Sequence, residues 1–211
     1  SCGVLYAVTA QHDAIAPAVL AAQAAINGDV VSETSGLAVA TLLPERWPLL
    51  RSAFASIMLP RPALADIETA YGDLSRAPGF SYSISYDAQR EVLLRREITL
   101  ADHQRLHRRI LVLDGAARQL AITDLPAQLG PFDPRRAWRA AIDLAAERQL
   151  PLWSDDIAVR STAASVGVPV FGTYALLAAL TDAGLIPDTR EEDTLILARA
   201  GVVELPVAGE E

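Results

Sequence analysis

Residues 150–186, LPLWSDDIAVRSTAASVGVPVFGTYALLAALTDAGLI, constrain the fold more than any other stretch of this chain. The apolar run Leu150-Pro-Leu-Trp153 is too short for a helix and predicts a buried strand. Ser154 then offers a helix cap, and Ile157, Val159, Ala163 and Ala164 follow at helical spacing. Val168-Pro-Val-Phe171 predicts a second strand, and Gly172-Thr173 opens a second helix. Strand, helix, strand, helix at this spacing implies parallel strands joined by crossover helices. Sheets of that kind carry their functional groups beyond the carboxyl ends of the strands, which is where Asp155 and Asp156 fall.

The upstream sequence supplies the rest of an α/β sheet. Residues 13–27 predict an Ala-rich helix stopped by Gly28. Residues 29–36 predict a short strand ending in polar residues, with helical spacing from Leu37 to Leu43 and from residue 47 to 56. Ser56 to Leu59 predicts another strand, and Pro60 and Pro62 introduce a helix through Ala63 to Ala70. Residues 81–86 alternate polar and apolar side chains, and residues 91–98 follow after a turn, which predicts a β-hairpin. Thr99 and Asp102 form a capping box for a long helix whose apolar face is Leu106, Ile110, Leu113 and Ala117 and which reaches about Leu120. The Ala-rich helix over 136–149 leads into the strand at Leu150.

Composition narrows the class. The chain has 211 residues, 51% of them hydrophobic, which suits one domain with a sizeable core. There is no apolar run long enough to span a bilayer, so a soluble, cytoplasmic protein without membrane attachment is expected. The eighteen basic residues are all Arg, a bias expected from genome composition, and the net charge of −8 argues against a surface that attracts nucleic acid over its whole extent. The single Cys2 excludes an internal disulfide framework and gives no support to a zinc site. The chain starts Ser-Cys-Gly and its only methionine is Met58, from which a larger polypeptide with sequence upstream is expected.

Three segments together resemble the PIN domain, a family of metal-dependent ribonucleases. Val30-Val-Ser-Glu-Thr-Ser-Gly-Leu37 is similar to the family's first strand and its following acid, with Glu33 where Asp is usual. Leu59-Pro-Arg-Pro-Ala-Leu-Ala-Asp66 resembles the second motif, an acid on a helix after a short strand. Residues 152–173, with Asp155, Asp156, Arg160 and Gly172-Thr173, resemble the closing motif. The resemblance implies a three-layer α/β/α sandwich with a central parallel sheet, here over residues 28–186. A hairpin and long helix form an insertion at 76–130, between a helical extension at 1–27 and a C-terminal extension at 187–211.

The resemblance also implies a site and a reaction. Glu33, Asp66 and Asp156 are the implied catalytic acids, and with Asp143 and Asp155 they are the implied ligands of Mg²⁺ or Mn²⁺. Such hard cations take carboxylate oxygens, and a bound one lowers the pKa of a water for attack on an RNA phosphodiester. Arg135, Arg136, Arg139 and Arg160 are the residues placed to meet RNA phosphates. Two departures matter. Glu33 is one methylene longer than Asp, and Ala137-Trp138-Arg139 stands where the family usually has an acid, with Asp143 one turn further on.

Three readings follow. The first is a divalent-metal endoribonuclease, the second a weak or inactive PIN-like RNA-binding or regulatory module of a larger protein. The toxin of a toxin–antitoxin pair ranks third, and a homodimer is compatible with each. Every acid also has a plainer role, as a helix cap or a solvated surface group. His103 and His107, four apart on the long helix, lack the third ligand that would make them a metal site and are expected to be surface residues.

Overall fold

The computed structural model describes residues 15–76, 81–87, 92–125 and 136–199. Helix α1 (15–25) is followed by β1 (Asp29–Ser32), α2 (Thr34–Ala40), α3 (Trp47–Ser52), β2 (Ser56–Pro60) and α4 (Arg61–Arg76). Next come the strands β3 (Ser81–Asp87) and β4 (Val92–Ile98), then α5 (Leu100–Ala117) and β5 (Ala121–Thr123). The chain continues through α6 (Ala137–Arg148), β6 (Leu152–Trp153), α7 (Ile157–Ser165), β7 (Val170–Phe171), α8 (Thr173–Asp182) and α9 (Arg190–Arg199).

The central sheet has five strands in the order β5-β2-β1-β6-β7, and every pairing in it is parallel. From β1 the chain winds outward through β2 to β5, then crosses back to lay β6 and β7 on the opposite side. The direction of winding therefore reverses between β1 and β6. Register there pairs Val31 with Leu152 and Ser32 with Trp153.

Side-chain alternation along the strands makes the sandwich three-layered. Val30 and Trp153 enter one core with Ala22 and Ala25 of α1, Leu176 and Leu180 of α8, and Leu197 of α9. Their neighbours Val31 and Leu152 point the other way, into a core with Ile142 and Leu144 of α6 and Val159 of α7. Successive strand residues face opposite sides of a sheet, so both faces must be covered and both are. A third cluster joins Leu59 of β2 to Leu37, Ile67 and Leu113 from α2, α4 and α5.

Several expectations are refined. Helix α1 ends through Asn27, whose φ of 66° takes the left-handed conformation expected of Gly28; Asn tolerates that region better than most residues. Helix α2 begins at Thr34, three residues before the apolar spacing starts, because Glu33 caps it. Helix α4 runs to Arg76, beyond Ala70. The hairpin pairs Ser81 with Ile98 through Asp87 with Val92, and the capping box of Thr99 and Asp102 opens α5.

Strand β5 is a strand that periodicity does not show, since three residues carry no period. It pairs Leu59 of β2 with Ile122, so the 76–130 segment includes a strand of the central sheet. Within that segment the hairpin forms a separate two-stranded sheet. The flanking regions 1–27 and 187–211 likewise contribute Ala22, Ala25 and Leu197 to the main core. Among the described residues, no helix is long and apolar enough to cross a membrane.

Gly36 in the first turn of α2 allows a close approach of this helix to the backbone of β6. A Cβ there would lie 2.8 Å from the Trp153 carbonyl oxygen and 3.0 Å from the Trp153 ring. Backbone at β6 cannot retreat without breaking its pairing to β1. Gly36→Ala is therefore expected to destabilise the protein by about 1–3 kcal/mol, despite the better helix propensity of Ala. Urea denaturation checks this, and an unchanged midpoint would contradict it.

Candidate functional site

The reversal of winding makes the carboxyl ends of β1 and β6 the place where a crevice and a ligand site are expected. Glu33 follows β1, and Ser154, Asp155 and Asp156 follow β6. The Glu33 N–H donates to the Trp153 carbonyl at 2.9 Å, which extends the β1–β6 pairing to the edge of the sheet.

The hydroxyl of Ser35 joins the two turns. It donates to Glu33 Oε2 and accepts the backbone N–H groups of Asp155 at 2.9 Å and Asp156 at 3.0 Å. One proton and two lone pairs are all that a serine hydroxyl has, so this side chain is fully engaged. Ser154, itself buried, donates to Glu33 Oε2 at 3.2 Å and accepts from the Asp156 N–H at 3.2 Å. Glu33 Oε2 also takes the Ser35 N–H at 2.8 Å, so one carboxylate oxygen gathers three donors.

Each acid at this edge satisfies the start of a helix. Glu33, 6% exposed, is the N-cap of α2. Asp156, exposed, is the N-cap of α7, where Oδ1 accepts from Ala158 N at 2.8 Å and Val159 N at 3.1 Å. Asp155 serves α8 from a distance in sequence: Oδ1 accepts the Thr173 N–H at 2.9 Å and Oδ2 the Thr173 hydroxyl at 2.5 Å. Thr173 Oγ1 in turn accepts from the Trp153 indole N–H at 3.1 Å. The unsatisfied N–H groups and the dipole of a helix N-terminus both favour an anion there, so three helix starts stabilise these three carboxylates.

The remaining expected ligands are Asp66 and Asp143. Asp66 is exposed on α4, whose Ala63 and Ile67 face inward. Asp143 is bound on its own helix by Arg139, whose Nε lies 2.9 Å from Oδ1 and 3.1 Å from Oδ2. Among the described residues, no three acids, histidines or cysteines form a group that could hold a metal ion. Ser35 thus joins the turns that carry Glu33, Asp155 and Asp156, whereas Asp66 is exposed on α4 and Asp143 is held by Arg139.

The expected phosphate-binding arginines also differ in placement. Arg160 is buried, 6% exposed, with its guanidinium against Gly172, where a Cβ would meet Nη1 at 2.4 Å. Arg139 is engaged by Asp143, Arg136 is exposed at the start of α6, and Arg135 lies outside the described residues. Farther along the same edge, Arg61 after β2 pairs with Asp124 after β5, with Nη2 and Oδ2 3.2 Å apart. That hydrogen bond holds the Asp124 carboxyl below its ordinary value. His103 is partly buried and His107 lies beside Tyr71, with ring centroids 5.7 Å apart.

Ser35 and Thr173 are the residues whose roles sequence reasoning missed. A serine two positions after an acid at a strand end is a detectable cap signal, but its bonds to residues 120 positions away are not. Comparison with known protein families and with curated proteins returns no match.

Removing the Ser35 hydroxyl takes the acceptor from the Asp155 N–H, leaves the Asp156 N–H its 3.2 Å bond to Ser154, and removes one of the three donors to the buried Glu33 carboxylate. Ser35→Ala is expected to cost about 1–3 kcal/mol, the cost of one amide left without its acceptor. At Asp156 the cap role predicts a loss of about 1 kcal/mol for Asp156→Ala and only a few tenths for Asp156→Asn, because Asn caps as well as Asp. Thermal and chemical denaturation check both; equal losses for the two Asp156 variants would contradict the cap role.

Proposed function

We propose that this chain is a PIN-like binding or regulatory module with little or no metal-dependent nuclease activity. The observation that carries this reading is the commitment of the acids to the protein's own donors. Glu33 Oε2 takes three hydrogen bonds, both oxygens of Asp155 bind Thr173, and Asp156 Oδ1 binds two backbone amides.

The donor set does not fit Mg²⁺ or Mn²⁺. Mg²⁺ demands near-ideal octahedral geometry, and drawing Glu33 toward a cation would break the bonds that hold α2. The two positions that would complete a site are Asp66, turned to solvent on α4, and Asp143, held by Arg139. A PIN-like fold is supported by the all-parallel five-stranded sheet and by the acids at its point of reversal. RNA is the ligand class that the resemblance suggests, with Arg136 as the exposed cation nearest the start of α6.

One observation favours the metal-dependent endoribonuclease as the second reading. Glu33, Asp155 and Asp156 do reach a single edge, linked through one hydroxyl.

Incubating a mixed RNA pool with Mn²⁺ and either wild type or Asp156→Asn separates the two. The binding reading expects intact RNA with both proteins. Mn²⁺-dependent cleavage by wild type that falls by about 100-fold or more in Asp156→Asn would overturn it.

A further inference from the structure

On the outer side of α2, away from the acidic edge, a groove of about 470 Å³ runs between this helix, α5 and the end of α4. Its floor is apolar: Val39 from α2, Leu42 from the turn that follows it, Leu74 from α4, and Ile110 and Leu113 from α5. Ile110 and Leu113 are buried in the core below, whereas Leu106 and Val112 on the rim are 39% and 50% exposed. Leu106 and Val112 thus leave apolar surface open to solvent beside the groove, the kind of patch that a partner covers.

The rim is cationic. Arg105, Arg108 and Arg109 line the groove, and all three are exposed. Arg105 is paired with Asp102, but among the described residues no acid engages Arg108 or Arg109. In a chain whose net charge is −8, an apolar trough edged by arginines is a local reversal of sign. Such a patch selects by charge as well as by apolar contact, favouring an anionic occupant and discriminating against basic segments.

We propose that this groove docks an acidic amphipathic helix of a partner polypeptide. Apolar anchors at i, i+3, i+4 and i+7 would enter between α2 and α5 over Leu42, Leu106 and Ile110, and flanking Glu or Asp side chains would meet Arg108 and Arg109. An Arg guanidinium offers a planar fork of donors that matches a carboxylate, which suits this rim better than a lysine would. Helix α2 carries Val39 on the groove and, in its first turn, Ser35 beside the Glu33 cap at the acidic edge, so an occupant would touch the element that the edge network holds. The inference does not depend on whether the acidic edge is catalytic.

The probe is a fluorescently labelled peptide of about 15 residues with Leu on one helical face and Glu on the other, long enough to form helix on binding. Its counterpart carries Lys for every Glu. Anisotropy titrations use the full chain, the double variant Arg108→Glu/Arg109→Glu, and Leu106→Glu. These positions are exposed, and circular dichroism confirms that each variant folds.

The Glu peptide is expected to bind wild type at least tenfold more tightly than the Lys peptide. The double variant should reverse that preference, and Leu106→Glu should weaken both by about tenfold, the equivalent of 1.4 kcal/mol. Equal affinity for the two peptides, or a preference unchanged by the double variant, would overturn the proposal. Concentration-dependent dimerisation in sedimentation that Leu106→Glu abolishes would also overturn it, by assigning the face to a second copy of this chain. Binding to anionic or neutral vesicles in place of the peptides would do the same, by assigning it to a lipid surface.

Discussion

The Ser35 hydroxyl is the contact on which the centre of the molecule depends. It binds the carboxylate after β1 and the two amides after β6, so it fixes the turn into α2 against the turn into α7. Those turns flank the point at which the chain reverses its winding. Neither strand is long: β6 has two residues, and register alone holds it weakly. Hydrogen bonds from side chains at the strand end supply what a short ladder lacks, and Gly36 lets α2 approach β6 closely enough for them to form.

That geometry has a chemical consequence. In a parallel sheet, helices start where strands end, so several positive helix termini converge on the same edge. Carboxylates gather there for two distinct reasons: to hold a cation or to satisfy those termini. Glu33, Asp155 and Asp156 satisfy three separate termini, those of α2, α8 and α7. Self-repulsion among them is offset by hydroxyl and amide donors, with the Ser35 and Ser154 hydroxyls placed between the acids. An edge built in this way holds its charge as part of the fold.

Much of the architecture was legible in the sequence and the site less so. Residues 150–173 announced parallel strands and crossover helices because a buried parallel strand is a short apolar block and each helix has a cap before it. The hairpin and the capping box at Thr99 were legible for the same local reasons. Strand β5 was not, because its three residues are defined only by pairing with Leu59. Glycine is the usual helix stop and points to Gly28, while the left-handed turn falls one residue earlier, at Asn27. Glu33, Asp155 and Asp156 were legible as strand-end acids, but spacing cannot say which donors they face. Asp66 differs again: its place on α4 follows from sequence, yet the face it occupies is set by Ala63 and Ile67 packing inward.

The account rests on the claim that the edge carboxylates serve helices and not a cation. A calorimetric titration of the intact protein with Mn²⁺ addresses it most directly. The account predicts no saturable heat at concentrations below about 1 mM, where a binding free energy near −4 kcal/mol would first register. A one-to-one site with a Kd of about 10 μM or tighter that disappears in Asp156→Asn would contradict it.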